Sequence, residues 1–160
     1  MARERGPVKE FIFLIALLAT LMPTSGHALL SIQVALVHPP QVLWEKPITT
    51  TNLFSLVHRN SIYGVLVWES FRIDPEGRIW LSKIKAESPS VLEYYGLEES
   101  QTTWIKQNRK IESLKIRVTA NGEFRLEFNR EKIYLSQTVP DGTLLEVRTR
   151  KIPDEQQPNR

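Results

Sequence analysis

A serine, a histidine and a glutamate that lie close together in the chain are the residues that could do nucleophilic chemistry. Ser61 could attack a substrate if His58 took its proton and Glu69 oriented the histidine. The sequence around Ser61 argues against this arrangement, because it contains no G-x-S-x-G elbow. We therefore predict no catalytic residue, and a small exported hydrolase that uses Ser61 or Glu69 is an alternative hypothesis.

The composition argues against metal and cofactor chemistry. The chain has 3 histidines, His27, His38 and His58, and their spacing matches no zinc-binding helix motif. It has no cysteine, which excludes a thiolate metal site, a thiol nucleophile and a disulfide framework. Neither a dinucleotide-binding glycine motif nor a phosphate loop occurs. We predict no metal site and no cofactor.

Four polar side chains near residues 59–69 form a candidate binding site. Arg59, Asn60 and Ser61 lie between two predicted strands, and Glu69 follows on the apolar face of the second strand. A carboxylate on an apolar face needs a hydrogen-bond partner or must be neutralised. We predict that one of the three loop residues contacts Glu69; the alternative is an edge-strand glutamate that reaches water. Arg59, Asn60, Ser61 and Glu69 are thus the candidate binding residues.

The charge and the aromatic residues predict an ordinary surface around an aromatic core. The formal net charge is +3, and acidic and basic residues are interspersed over residues 72–150. That pattern predicts a mixed, solvated surface and no nucleic-acid partner. In a domain of this size we expect the larger aromatic side chains to belong to the core. They are Trp68, Trp80, Tyr94, Tyr95 and Trp104.

The N-terminus has the layout of a secretory signal. Residues 1–10 are polar and basic, residues 11–22 (FIFLIALLATLM) carry no charge, and Pro23 ends the run. We predict cleavage after Ala28 and a periplasmic domain. The alternative is an uncleaved inner-membrane anchor that extends to about residue 37. Both versions place the rest of the chain outside, because the basic flank stays in the cytoplasm.

Alternating polar and apolar residues dominate the remainder of the chain. Leu114, Ile116 and Val118 alternate with polar residues, and turn signals such as Asp74-Pro75-Glu76-Gly77 separate such runs. This pattern is typical of antiparallel sheets with one face in water. We predict an all-β fold, an antiparallel β-sandwich or barrel-like domain over residues 29–152. Residues 153–160 are predicted to be a disordered tail.

Three local predictions follow from turns and spacing. Asn121-Gly122 predicts a hairpin between the strands on its two sides, because both residues accept positive φ. Residues 88–112 lack alternation and predict a short helical excursion. In the strand after the Asp74 turn, Ile79 and Leu81 are expected on one face, with Trp80 and Ile84 on the other.

The segment NSIYGVLVWESF, residues 60–71, carries a family resemblance. It resembles the signature of a small bacterial family of exported proteins of unknown function, numbered 1850. That signature is His-Ser-Val, four variable residues that often end in proline, and then Val-x-Glu-x-Phe or Tyr. Asn60 stands where the family has histidine, Leu66 stands where proline is frequent, and the family's later glycine-rich stretch is absent. The residues in register are Ser61, Ile62, Val67, Glu69 and Phe71.

The resemblance implies a role at the membrane. Proteins of that family are often associated with TAXI-type tripartite solute transporters (TRAP transporters) as a small accessory component. It therefore implies an exported, non-enzymatic accessory or binding module whose partners are membrane transporter subunits. Besides the hydrolase, the remaining alternative is a structural envelope protein that binds another chain by strand addition.

Overall fold

Strands dominate the described part of the chain. The computed structural model describes residues 29–48, 52–97 and 104–153. The strands in these stretches are β1 (Leu30–Leu36), β2 (Gln41–Ile48), β3 (Leu53–Arg59), β4 (Leu66–Ile73), β5 (Ile79–Ala86), β6 (Ile105–Ile111), β7 (Leu114–Arg117), β8 (Arg125–Phe128), β9 (Glu131–Tyr134) and β10 (Leu144–Lys151). The helices are α1 (Pro89–Tyr94) and α2 (Leu135–Thr138).

The strands form two antiparallel sheets that pack face to face. One sheet has the order β2-β1-β10-β7, and the other has the order β6-β5-β4-β3-β8-β9. Apolar side chains from both sheets form one buried cluster between them, so the described residues build an open sandwich and not a closed barrel. The predicted all-β antiparallel fold is confirmed. The most deeply buried members of this sandwich cluster include Ile32, Val34, Phe54, Phe71, Leu126, Leu145 and Val147.

Phe54 and Phe71 are among the largest fully buried side chains of the sandwich cluster. They lie opposite each other in the β3–β4 ladder, and their rings stack with centroids 4.9 Å apart. Both side chains are at most 2% exposed. Burying a phenylalanine stabilises a fold by roughly 1.5–3 kcal/mol. This pair therefore contributes to the packing of the six-stranded sheet on the four-stranded one.

A β-bulge in β5 places Ile84 on the face opposite to the one that the sequence predicted. Leu81 lies opposite Phe71, whereas Ile84 lies opposite Glu69, so β5 has one extra residue in between. The extra residue returns Ile84 to the face of Leu81, which simple alternation could not predict. On that face, α1 covers a second buried cluster. Its buried members are Val67, Ile84, Ala86, Val91 and Leu92.

The predicted hairpin at Asn121-Gly122 is wrong. β7 pairs with β10 in the four-stranded sheet, and β8 pairs with β3 and β9 in the other, so this segment carries the chain between sheets. Alternation shows that a strand has one buried face but does not identify its partner. The hairpin in this region joins β8 to β9 through Asn129 and Arg130, whose φ angles are 55° and 133°.

Residues 105–111 form a strand that the sequence analysis placed in the helical excursion. Helix α1 lies in the predicted region, but β6 pairs antiparallel with β5 at the edge of the six-stranded sheet. The β6 sequence is IKQNRKI, and 4 of its 7 residues are exposed. An edge strand with so few buried positions gives no clear period-two pattern.

Several aromatic side chains expected in the core lie at the surface. Tyr94 is 61% exposed and Trp104 is 41% exposed. Trp68 and Trp80 are half-buried, because they point to the face of the six-stranded sheet that looks away from the sandwich cluster. The sandwich cluster is built instead from aliphatic side chains and phenylalanines.

Both chain termini lie outside the described residues. The predicted signal falls in residues 1–28, and all but the first residue of the predicted tail falls in residues 154–160. The extension of the alternative anchor helix to about residue 37 is wrong, because Leu30–Leu36 form strand β1, which pairs with β2 and β10. Among the described residues, no helix is long and apolar enough to cross a membrane.

The turn between β4 and β5 is built around the carboxylate of Asp74. Its Oδ1 accepts hydrogen bonds from the backbone N–H groups of Glu76 and Arg78. Its Oδ2 accepts from Arg78 Nε at 2.6 Å and from Trp80 Nε1 at 2.9 Å. Burial alone raises the pKa of Asp74, but the hydrogen bonds from Trp80 and Arg78 outweigh burial and hold this pKa well below its usual range.

Asp74 should therefore stabilise the fold at neutral pH and lose that effect in acid. Asp74→Ala should lower the free energy of unfolding by about 3 kcal/mol at pH 7, because it removes charge-assisted hydrogen bonds. Since the pKa is depressed in the folded chain, the stabilisation is present above the unfolded pKa of about 3.9 and is lost as pH falls further. Urea unfolding from pH 7 to pH 2 measures both effects. Equal losses below about pH 4 in the wild type and the variant would contradict this.

Candidate binding site

The loop between β3 and β4 is held by the side chain of Asn60. Asn60 Oδ1 accepts hydrogen bonds from the backbone N–H groups of Ile62 at 2.9 Å and Tyr63 at 3.1 Å. The backbone N–H of Asn60 donates to the carbonyl of Val65, and that of Gly64 donates to the carbonyl of Asn60. An asparagine that bonds to its own backbone two residues on mimics a backbone turn. The loop is therefore a closed, hydrogen-bonded unit.

Arg59 ties this loop to the segment before β8. Its guanidinium binds the Glu123 carboxylate in a bidentate geometry, with Nε–Oε1 at 3.1 Å and Nη2–Oε2 at 3.0 Å. Its Nη1 also donates to the carbonyl of Gly64 at 2.6 Å. Since the Glu123 side chain is 56% exposed, the ion pair contributes at most about 1 kcal/mol. Arg59 thus positions the loop, and its guanidinium is already engaged by protein atoms.

The loop displays two large apolar side chains to solvent. Ile62 is 65% exposed and Tyr63 is 42% exposed. The ring centroid of Tyr63 lies 6.3 Å from that of Tyr94 on α1, which is also exposed. Ser61 is exposed beside them, and its hydroxyl makes no hydrogen bond with any described residue. We call Ile62, Tyr63 and Tyr94 the tyrosine patch.

Glu69 lies apart from this loop, in the inner face of β4. It stands between Val67, which belongs to the cluster under α1, and Phe71, which belongs to the sandwich cluster. Its titratable neighbour across the β3–β4 ladder is His58, with Nε2 at 3.8 Å from Glu69 Oε2. His58 faces Glu69 diagonally across the β3–β4 ladder.

The predicted partners of Glu69 contact other groups. Among the described residues, Arg59, Asn60 and Ser61 make no hydrogen bond or ion pair with Glu69. The physical reason is that the loop folds back on itself at the end of the sheet, whereas Glu69 lies three residues into β4. A residue in the neighbouring strand is closer than one in the preceding loop.

Burial favours the neutral forms of both members of the His58–Glu69 pair. The two side chains are 12% and 14% exposed. Burial raises the pKa of Glu69, opposed by the charge of Arg109. Burial lowers the pKa of His58, opposed by a backbone hydrogen bond at Arg59. The pair is therefore a neutral imidazole, stacked on Phe124, beside a carboxyl of raised pKa.

The interior near Glu69 has little free space. Tyr95, Arg109 and Ile84 border a cavity of about 20 Å³, which holds about one water molecule. Burial, together with the charge of Glu69, raises the pKa of Tyr95. These polar groups therefore belong to the packed interior, and the tyrosine patch is the exposed part of the site. Within the described part of the chain, no group of His, Asp and Glu side chains has a geometry that could hold a metal ion.

The comparisons with known proteins found no match for the chain. No family model matches the chain, and no curated protein or solved structure matches it. The resemblance over residues 60–71 therefore stays an expectation from the sequence. The sequence analysis considered His58 beside Glu69 only within the catalytic arrangement that it argued against, and it assigned Glu69 a partner in the loop instead. It missed the tyrosine patch. The signal for the patch was a pair of large apolar residues directly before Gly64, inside a turn.

Removing the Asn60 amide should loosen the loop. Asn60→Ala leaves two backbone N–H groups without their acceptor, which should cost about 1–2 kcal/mol in the free energy of unfolding. Amide hydrogen exchange at Ile62 and Tyr63 should accelerate. Asn60→Asp keeps an acceptor oxygen and should lose less. Unchanged exchange rates in Asn60→Ala would show that the loop does not depend on this side chain.

Glu69 should destabilise the fold increasingly as pH rises. Since its pKa is raised in the folded chain, the wild type loses stability as pH rises from the unfolded value of about 4.3 through the folded value. The free energy of unfolding of Glu69→Gln, minus that of the wild type, should therefore become more positive from pH 4 to pH 8. Glu112→Gln, at a side chain 85% exposed, is the matched control and should show no such trend. A difference that becomes more negative with pH would mean that the ionised carboxylate is well paired.

Proposed function

We propose that this protein is an exported, non-enzymatic accessory or binding module of a tripartite solute transporter, and that it contacts its partner through the tyrosine patch. The observation that carries the proposal is the contrast within one loop. Asn60 and Arg59 fix its backbone, whereas Ile62 and Tyr63 point into solvent. A loop whose polar side chains maintain its own shape while its apolar side chains stay exposed is suited to a protein contact.

Rigid presentation of this kind favours binding. A partner that meets a loop of fixed shape avoids the cost of ordering it, which is otherwise about 0.5–1.5 kcal/mol for each immobilised side chain. Tyrosines combine a large apolar ring with a hydroxyl that can bond at the rim of an interface, and they are enriched among the residues that dominate binding energy. Tyr63 and Tyr94 are placed to serve in that way.

The export and the transporter partner are supported by the sequence. The basic start and the apolar run at residues 11–22 favour passage to the periplasm. The resemblance over residues 60–71 favours a TRAP transporter subunit as the partner, and the tyrosine patch falls inside that segment. The patch also lies far from β1, near the start of the described residues. Thr149, which pairs with Ile32 of β1, donates a hydrogen bond to the carbonyl of Gly77 beyond one end of β4. The loop lies beyond the other end, and 8 residues of strand span about 25 Å.

A patch variant should impair transport without impairing folding. In cells that lack the natural chain, Ile62→Ser combined with Tyr63→Ser should restore solute uptake at least about tenfold less well than the wild type. Val42→Ser is the matched control, because Val42 is 41% exposed on the other sheet. A photo-crosslinker at position 62 should capture identified transporter subunits. Normal uptake without the chain, together with no transporter subunit crosslinked, would refute the proposal.

A further inference from the structure

One face of the six-stranded sheet concentrates basic side chains. The four-stranded sheet and α1 both pack on the inner face of this sheet. Besides Arg59, which is bound to Glu123, the pairing register places seven cations on the opposite, outer face, which we call the basic face. They are Arg72 on β4, Lys83 and Lys85 on β5, Lys106 and Lys110 on β6, Arg125 on β8 and Lys132 on β9.

Most of these cations have no acidic partner. Arg125 pairs with Glu127 at 2.8 Å, and Lys110 pairs with Glu112 at 3.2 Å. The other five make no ion pair with any residue that the structure describes. The basic face therefore carries a net positive charge that its own side chains do not neutralise. The five are Arg72, Lys83, Lys85, Lys106 and Lys132.

This distribution corrects the expectation of a mixed surface. The net charge of the chain is only +3, and the two signs alternate along the sequence. In the fold, however, Glu69 points inward, Glu123 binds Arg59, and Glu131 pairs with Lys46 of the other sheet at 3.0 Å. Glu112 and Glu127 remain at the basic face, with Glu127 opposite Lys132 in the β8–β9 ladder, so the acidic groups there are fewer than the cations. A whole-chain charge could not reveal this.

Without a bound anion, the repulsion between neighbouring lysines lowers the stability of the sheet. Lys83 lies directly opposite Lys106 in the β5–β6 ladder, and Lys85 is two residues further along the same face. Like charges directly opposite each other destabilise a sheet. Aromatic rings offset part of this cost: Lys83 Nζ lies 4.4 Å from the ring centroid of Trp104, and Lys85 Nζ lies 5.4 Å from that of Trp68.

From this geometry we propose that the basic face docks on a membrane surface that contains anionic phospholipids. A sheet presents side chains about 4.8 Å apart across strands and about 7 Å apart along them, so several headgroups can be met at once. Tryptophan and tyrosine favour the depth of the lipid headgroups. Trp68, Trp80 and Trp104 already lie beneath Lys85, Arg72 and Lys83, which makes their rings poor platforms for stacking nucleotide bases.

The proposed orientation is compatible with the rest of the molecule. A domain that lies flat on the basic face keeps the tyrosine patch at its side, where a membrane protein could reach it. In the alternative without cleavage after Ala28, the apolar run at residues 11–22 would also hold the chain at the same surface. The inference does not depend on the transporter partner, because it can be tested on vesicles that contain no other protein.

Vesicle binding of the full chain tests the proposal. We compare phosphatidylcholine vesicles with phosphatidylcholine–phosphatidylglycerol vesicles, and read tryptophan quenching by spin-labelled headgroups. Binding should be tighter on the anionic vesicles and should weaken with salt. Lys83→Gln, Lys85→Gln and Lys106→Gln together should reduce the preference for anionic vesicles roughly 100-fold, since each lysine near such a surface contributes about fivefold.

The matched control removes the same charge from the other sheet. Lys115→Gln, Arg150→Gln and Lys151→Gln together should keep the anionic preference within about threefold of the wild type. An equal loss in both triple variants, no preference for anionic vesicles, or binding of dextran sulfate or single-stranded DNA in place of vesicles would overturn the proposal. If the first triple variant failed to fold, Lys106→Gln with Lys132→Gln, at two exposed positions, would test it with about a 25-fold expected loss.

Discussion

Phe54 and Phe71 stack within the six-stranded sheet, with ring centroids 4.9 Å apart, and both rings are buried in the cluster that this sheet shares with its partner sheet. The other features of the molecule depend on this burial, because it sets which side of β3 and β4 faces inward, and the pairing register extends that choice to the neighbouring strands. Beyond the edge of the four-stranded sheet, α1 packs on the inner face of the six-stranded sheet and buries Ile84. Glu69 lies between the region covered by α1 and the region covered by the four-stranded sheet. The outer face carries the cations of the basic face.

The loop between β3 and β4 divides its side chains between two tasks. Asn60 and Arg59 bond to the protein itself, and they maintain the shape of the loop. Ile62 is 65% exposed and Tyr63 is 42% exposed, so part of their apolar surface contributes nothing to the stability of the fold. Under the proposed function, this exposed surface is what the partner contacts. Glu69, by contrast, is explained by its buried neighbour His58.

Alternation and turn signals were enough to predict the fold class, and they failed where pairing depends on distant residues. The strand from Leu53 and the turn at Asp74 follow from local pattern. The crossing between sheets at Gly122 does not, because strands with the same alternation can bury their faces from either sheet. The bulge before Ile84 shifts a face by one residue, and the His58–Glu69 contact depends on register. The positions of the cations on the basic face depend on both the bulge and the pairing register. The sequence therefore predicted an evenly charged surface in its place.

The central claim is that the tyrosine patch is a contact surface. Side-chain footprinting in native membranes tests this claim most directly. Hydroxyl-radical oxidation of the full chain would be compared between the purified protein and the same protein in its own membranes. We expect Ile62, Tyr63 and Tyr94 to be readily oxidised in the purified chain and protected in membranes, with Val42 reactive in both. Full reactivity of the three patch residues in membranes, with protection confined to other surfaces, would contradict the claim.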